Sequence, residues 1–242
     1  MSSSPALPPA ALLTAQAAWL APAREYLLRR VGIDQRARVL DLGAGRGAVI
    51  PELLERAGGQ VLALDLDLPA LREIAPEAVG VGGDARALPL ASASLDLVFS
   101  QLTLLWVRPL AAVLDEVARV LRPGGALVAL EPDYGGLMEY PPEVATRSVW
   151  MAALSRAGAD PRVGRKLPGA LERRRFDARV EFQNRLVPPR PARFELLRGL
   201  PLTAEERTAL QQAEEAAEKI EGRWGVVAHL PFFFVTAIKG RR

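Results

Sequence analysis

The chain has 242 residues, half of them hydrophobic and 24% charged, with 31 lysines and arginines against 28 acids for a formal net charge of +3. A chain of that length buries a full core, and its composition is ordinary for a globular protein. No apolar run reaches the ~18 residues of a membrane span, and the lack of cysteine excludes disulfides, thiolate nucleophiles and cysteine metal sites.

MSSSPALPPAALL carries no basic region ahead of its apolar part, so no secretory leader is read and a cytoplasmic setting is expected. Lysine stands only at Lys166, Lys219 and Lys239, which leaves arginine to supply nearly all the positive charge. The clusters PRVGRK (161–166) and RRR (173–175) are taken as solvated faces, because no nucleic-acid motif accompanies them. Neither a nucleic acid nor a membrane is the expected partner. The oligomeric state is left open.

In chain order, residues 10–30 follow a helical pattern interrupted at Pro22, with Trp19, Leu20, Tyr26, Leu27 and Leu28 as apolar members. Residues 1–35 are expected to form a helical extension or lid ahead of a main domain over 36–242. ARVLDL (37–42) predicts a buried strand and 46–57 a helix stopped by Gly58 and Gly59. QVLALDL (60–66) predicts a strand and LPALREIA (68–75) a helix, followed by short strands at AVGVGGD and SLDLVFS. PLAAVLDEVARVLRPGG (109–125) reads as an amphipathic helix ended by Pro123 and Gly124, and GALVALEP (125–132) as a fifth strand. Helices are expected at 143–157 and 167–176. Strands over 178–187 and 226–239 form an antiparallel pair at the sheet edge. Apolar strands alternating with helices imply an α/β, Rossmann-like doubly wound sheet of mostly parallel strands.

Ligands of such sheets bind beyond the carboxyl ends of the strands. Acids recur there, at Asp41, Asp65, Asp84 and Glu131. Gly43, Gly45 and Gly47 give D-x-G-x-G-x-G after the first strand, while Gly43, Gly45 and Ala48 fit the nicotinamide pattern weakly. Asp41 would oppose a pyrophosphate but favour a cationic ammonium or sulfonium. Asp65 stands where an acid takes ribose hydroxyls, whichever adenosine cofactor is bound. Asp67 is foremost a helix cap.

GDARALPL (83–90) places Asp84 just past the third strand, suited to an adenine amino group, with the Ala85 backbone facing the ring. With VLDLGAGRG, LDLVFSQLTLLW and LRPGGALVALEPD, this order of blocks resembles the class I S-adenosylmethionine-dependent methyltransferases. Among them it looks most like the broad group that includes quinone- and biotin-pathway enzymes. The resemblance is strong over 38–133 and implies seven strands, the last antiparallel. It further implies that Gly43, Ala44, Gly45 and Gly47 pass the methionine moiety of S-adenosylmethionine and that Asp41 faces its ammonium. Asp65 and Leu66 would hold the ribose, Asp84 and Ala85 the adenine, and Gln101 would line the cleft near the methyl.

Methyl transfer from a sulfonium needs alignment and exclusion of water more than acid–base machinery, so neither a triad nor a metal set is expected. Glu131, Asp133 and Tyr134, at the end of the fifth strand, are weak catalytic candidates. Tyr140 flanks the same loop. His229, Trp106 and Trp19 are expected to be packing residues, with Trp19 alternatively in a lid. The expected activity is methyl transfer to a small-molecule acceptor through oxygen or carbon. An RNA or protein methyltransferase using the arginine patches is the alternative within the class. A nicotinamide-dependent reductase, or a cofactor-binding protein without turnover, is the alternative outside it.

Overall fold

The computed structural model describes residues 8–182, 186–189 and 192–240. Four strands open the fold: β1 (Arg38–Leu42), β2 (Gln60–Asp65), β3 (Val79–Gly82) and β4 (Leu95–Gln101). β5 (Leu121–Pro132), β6 (Met138–Tyr140), β7 (Phe176–Phe182), β8 (Val227–His229) and β9 (Phe232–Lys239) follow. The helices are α1 (Ala10–Arg30), α2 (Ile50–Arg56), α3 (Leu68–Leu71), α4 (Leu110–Val120), α5 (Arg147–Arg156), α6 (Val163–Glu172), α7 (Ala192–Arg198) and α8 (Ala204–Glu218). Seven strands join in the order β3-β2-β1-β4-β5-β9-β7, and β6 pairs with β8 apart from them. β9 runs antiparallel to both its neighbours, while the other pairs in the sheet are parallel. The expected seven-stranded doubly wound sheet is therefore present.

Alternation of side chains along each strand feeds two cores. Val39, Val61, Leu97, Phe99 and Val128 face α1 and α2, packed by Leu20, Leu27, Leu28 and Leu53. Leu40, Leu62, Val98, Leu127 and Val235 face the opposite side, covered by Val113, Leu114 and Val117 of α4 and by Leu167 and Leu171 of α6. The helix expected as an extension thus shares a core with the sheet, and it runs unbroken through Pro22.

Several expected boundaries shift for local reasons. Gly47 sits at φ +76°, outside helical space, so α2 begins only at Ile50 rather than Arg46. The helix at 68 closes after one turn, at Leu71. α4 stops at Val120, and Leu121 is already extended and pairs with Leu95. Pro231 divides the expected strand 226–239 into β8 and β9. β7 starts at Phe176, and residues 183–185 of the expected 178–187 strand lie outside the described residues.

Candidate cofactor cleft

Beyond the carboxyl ends of β1, β2 and β4 lies a cleft of about 920 Å³. Its floor is the turn after β1. There Gly43, Gly45 and Gly47 take φ values of +79°, +52° and +76°, a region costly to any residue bearing a Cβ. The Gly43 and Ala44 amides donate to the Leu64 carbonyl, at 2.8 and 3.0 Å, tying the turn to β2. A Cβ on Gly43 would sit 2.2 Å from Cγ2 of Thr103, whose hydroxyl donates to the Gly43 carbonyl at 3.3 Å. The glycine there serves close approach as well as backbone angle.

Asp41, Gly43, Ala44, Gly45, Asp65, Leu66, Asp84, Ala85 and Gln101 all line this cleft, and so does Tyr134. Gly47, on the same turn, packs toward Ile74 instead. Asp41 is 4% exposed. No hydrogen-bond donor reaches its carboxylate among the described residues, and burial, then the charge of Asp65, pushes it up to about 7 while Arg24 pulls the other way. Asp65 accepts from the Gly45 amide at 2.8 Å and the Asp67 amide at 2.9 Å, so it braces the turn with one lone pair of each oxygen. Asp84 is engaged by the Arg86 guanidinium at 2.6–3.0 Å, which holds its carboxyl below the usual range. Asp67 caps α3 through the Ala70 amide, 3.0 Å away.

The three weak catalytic candidates separate. Tyr134 lines the cleft and stacks on Trp150 with centroids 4.8 Å apart. Burial, and secondarily the Glu131 charge, raises its hydroxyl pKa, which makes it a poor base at neutral pH. Glu131 is wholly buried. One of its oxygens accepts from the Thr103 and Leu104 amides at 3.0 and 2.9 Å, the other has no partner, and burial lifts the carboxyl to about 7. Asp133 is bound by Arg165 at 2.7 Å and by the Gly135 amide at 3.1 Å. Neither acid lines the cleft. Both brace loops instead, Glu131 through the Thr103 and Leu104 amides and Asp133 through Arg165 and the Gly135 amide.

His229 pairs in register with Met138 on the small β6–β8 sheet, half-buried, with its pKa lowered by burial. Trp19 packs edge-on against Phe232, centroids 5.1 Å apart, whereas Trp106 lines the cleft. Tyr140 is exposed. Arg24 and Thr103 were not singled out from the sequence. A signal for Arg24 was present: it interrupts the apolar stripe Leu20, Leu27, Leu28 of α1 at a buried position, where a charge needs partners. Leu12, Leu105, Trp150, Leu154, Leu196 and Leu200 give the cleft an apolar part of its lining.

A mostly parallel sheet in this strand order, with an antiparallel β9 and a glycine turn flanked by strand-end acids, is a Rossmann-like arrangement. Residues 40–129 match the model of a methyltransferase domain. Malonyl-[acyl-carrier protein] O-methyltransferase of Pseudescherichia vulneris is 37% identical over 139 residues, 56% of this chain and 53% of that protein. The chain thus spans about half the length of that relative. The YcgJ protein of Bacillus subtilis superposes with a TM-score of 0.64 at 13% identity, covering 90% of this chain and 99% of the other. An S-adenosylmethionine-dependent methyltransferase of Mesorhizobium loti gives 0.56 at 22% identity, over 91% and 97% of the two chains. Among the described residues no helix is long and apolar enough to cross a membrane.

Proposed function

We propose that the chain binds S-adenosylmethionine along the strand ends and transfers its methyl group to a small-molecule acceptor through oxygen or carbon. The observation that carries this reading is Asp41. A buried carboxylate without a donor, set beside a glycine turn, is stabilised by a cation and repels a diphosphate. The residues lining the cleft fit the cofactor: Asp41 toward the ammonium, Gly43, Ala44 and Gly45 along the methionine chain, Asp65 and Leu66 at the ribose, and Asp84 and Ala85 at the adenine, while Gly47 shapes the turn from behind. Bound there, the cofactor supplies an electrophilic methyl whose leaving group is a neutral thioether.

The chain's residues then align and enclose. The apolar walls from α5 and α7 exclude water from the acceptor half, which strengthens the electrostatics around the sulfonium, and the first turns of α1 serve as the flap on one side. Neither Glu131 nor Asp133 lines the cleft, so the acceptor brings its own nucleophilicity. An ionised carboxylate oxygen, the kind of group named in the malonyl relative, meets that requirement, as does a stabilised carbanion.

A thermal-shift assay with S-adenosylmethionine, S-adenosylhomocysteine, NADH and NADPH tests the reading. At one hundred times its dissociation constant a ligand adds about 2.7 kcal/mol, or about 5 °C for a chain of this length. A shift of that order with the adenosyl compounds alone supports it. A shift with a nicotinamide alone refutes it.

A further inference from the structure

Three polar side chains that line the cleft are more than nine-tenths buried: Asp41, Tyr134 and Trp150. Asp41 alternates with Leu40 and Leu42 along β1, so it faces the α1 side of the sheet, toward Arg24. Tyr134 and Trp150 belong to the opposite core, where their rings lie against each other. Both are donors, one a phenol hydroxyl that burial keeps protonated, the other an indole N–H. No group bonds either of them among the described residues, and neither atom is sealed in the interior. The polar ends of buried tyrosine and tryptophan ordinarily have a partner. This wall therefore calls for a ligand oxygen.

The surroundings restrict what carries that oxygen. The Tyr134 amide donates to the Pro161 carbonyl at 2.8 Å and the Asp160 amide to the Leu105 carbonyl at 2.7 Å, which sets Leu105 beside the pair. Leu154 follows one turn along α5 from Trp150, and both leucines line the cleft. The cations that line it are engaged elsewhere: Arg46 pairs with Glu73, Arg86 with Asp84, and Arg108 donates to the Ala159 carbonyl. Glu195 is exposed. Two neutral donors in apolar surroundings suit one anionic oxygen pair and penalise a second charge. We propose that Tyr134 and Trp150 hold the carboxylate of the methyl acceptor, and that the acceptor is a monocarboxylic acid with an apolar body. The inference rests on the methyl-transfer reading above and names its acceptor class.

A carboxylate has about four lone-pair sites, so an oxygen held by these donors keeps a pair with which to attack. That oxygen bonds the methyl carbon as the sulfur–methyl bond breaks and its electron pair stays on sulfur. The carboxylate and sulfonium charges cancel, and no proton moves. Charge-assisted hydrogen bonds are about twice as strong as neutral ones, so the donors grip the acid more firmly than the ester, which favours release of product.

Isothermal titration into the chain saturated with S-adenosylhomocysteine tests the proposal, using octanoate, 4-phenylbutyrate and octanamide, the neutral isostere of octanoate. Octanoate is expected to bind roughly tenfold tighter than octanamide. Tyr134→Phe keeps the ring on Trp150 and removes only the hydroxyl. It is expected to weaken the acids roughly tenfold and the amide by no more than about threefold, with S-adenosylhomocysteine unchanged. Trp150→Phe is expected to show the same order.

Equal losses for acid and amide make the pair a packing contact and overturn the carboxylate seat. A loss of S-adenosylhomocysteine affinity in Tyr134→Phe assigns the hydroxyl to the cofactor and overturns it likewise. If neither acid binds the loaded chain, the acceptor class is refuted while the cofactor reading stands. Failure of the unmodified chain to bind S-adenosylhomocysteine at all overturns the cofactor reading, and this inference with it. If Trp150→Phe fails to fold, Tyr134→Phe decides by itself.

Discussion

Replacing Asp41 by asparagine should make the ligand-free protein more stable while removing its ligand. Burial and the neighbouring Asp65 hold the Asp41 carboxyl at about 7, against 3.8 for the ordinary group. Because the folded state keeps this proton longer than the unfolded chain, stability falls as pH rises from about 4 to about 7 and stays reduced above that window. A difference of about 3 units corresponds to roughly 4 kcal/mol at pH 8, of which somewhat under half is already felt at pH 5. The asparagine side chain has the shape of the protonated acid and does not titrate.

With an unfolding entropy of about 2.1 cal/mol/K per residue, this chain changes its Tm by about 2 °C per kcal/mol. The expected gain of Asp41→Asn is therefore about 8 °C at pH 8 but only about 3 °C at pH 5. Melting curves by circular dichroism at the two pH values, without ligand, measure it. A gain independent of pH, or none, refutes the description of Asp41 as a destabilising buried charge kept for a cation. The same variant should lose S-adenosylhomocysteine affinity by well over tenfold, since a neutral amide cannot replace a carboxylate opposite an ammonium.

Three further perturbations follow from the geometry. Gly43→Ala forces a Cβ to 2.2 Å from Thr103 at a φ of +79°, so a loss of about 1–3 kcal/mol is expected, read as a lower urea midpoint at constant slope. Glu131→Ala strips the acceptor from the Thr103 and Leu104 amides and should cost about 2–4 kcal/mol. Glu131→Gln keeps an acceptor oxygen and should gain on the unmodified chain as pH rises from about 4.5 to about 7 and hold that gain above it, because the folded state keeps the carboxyl proton longer than the unfolded chain; a Gln variant that melts like the Ala variant at every pH would contradict this. Arg86→Ala frees Asp84 from its ion pair, so 5′-methylthioadenosine should bind several-fold tighter to it and weaker to Asp84→Asn. Calorimetry showing no change in either would remove Asp84 from the adenine site.

The ends of β1, β2 and β4 were legible because everything that makes them is local. Alternating apolar residues set the strands, and glycines mark the turn where φ must be positive. The acids at Asp41, Asp65 and Asp84 follow directly from those strand ends, and the sequence places them on one rim without any knowledge of packing.

Other features depended on partners distant in the chain. Glu131 looks like a strand-end acid of the same kind as Asp41, yet it is swallowed by the Thr103–Leu104 turn, a contact spanning 28 residues. Asp133 likewise belongs to Arg165, 32 residues on. Pro22 suggests a break in α1, but packing on the sheet carries the helix through it. Arg24 meets Gln101 across 77 residues. The sequence by itself determined the order of strands and helices, the glycine turn and which acids stand at the strand ends, since these depend on backbone angles and two-residue periodicity. Only the tertiary structure decided which carboxylates remain without a donor and which are consumed by amides and guanidinium groups, because a hydrogen bond is settled by proximity in space.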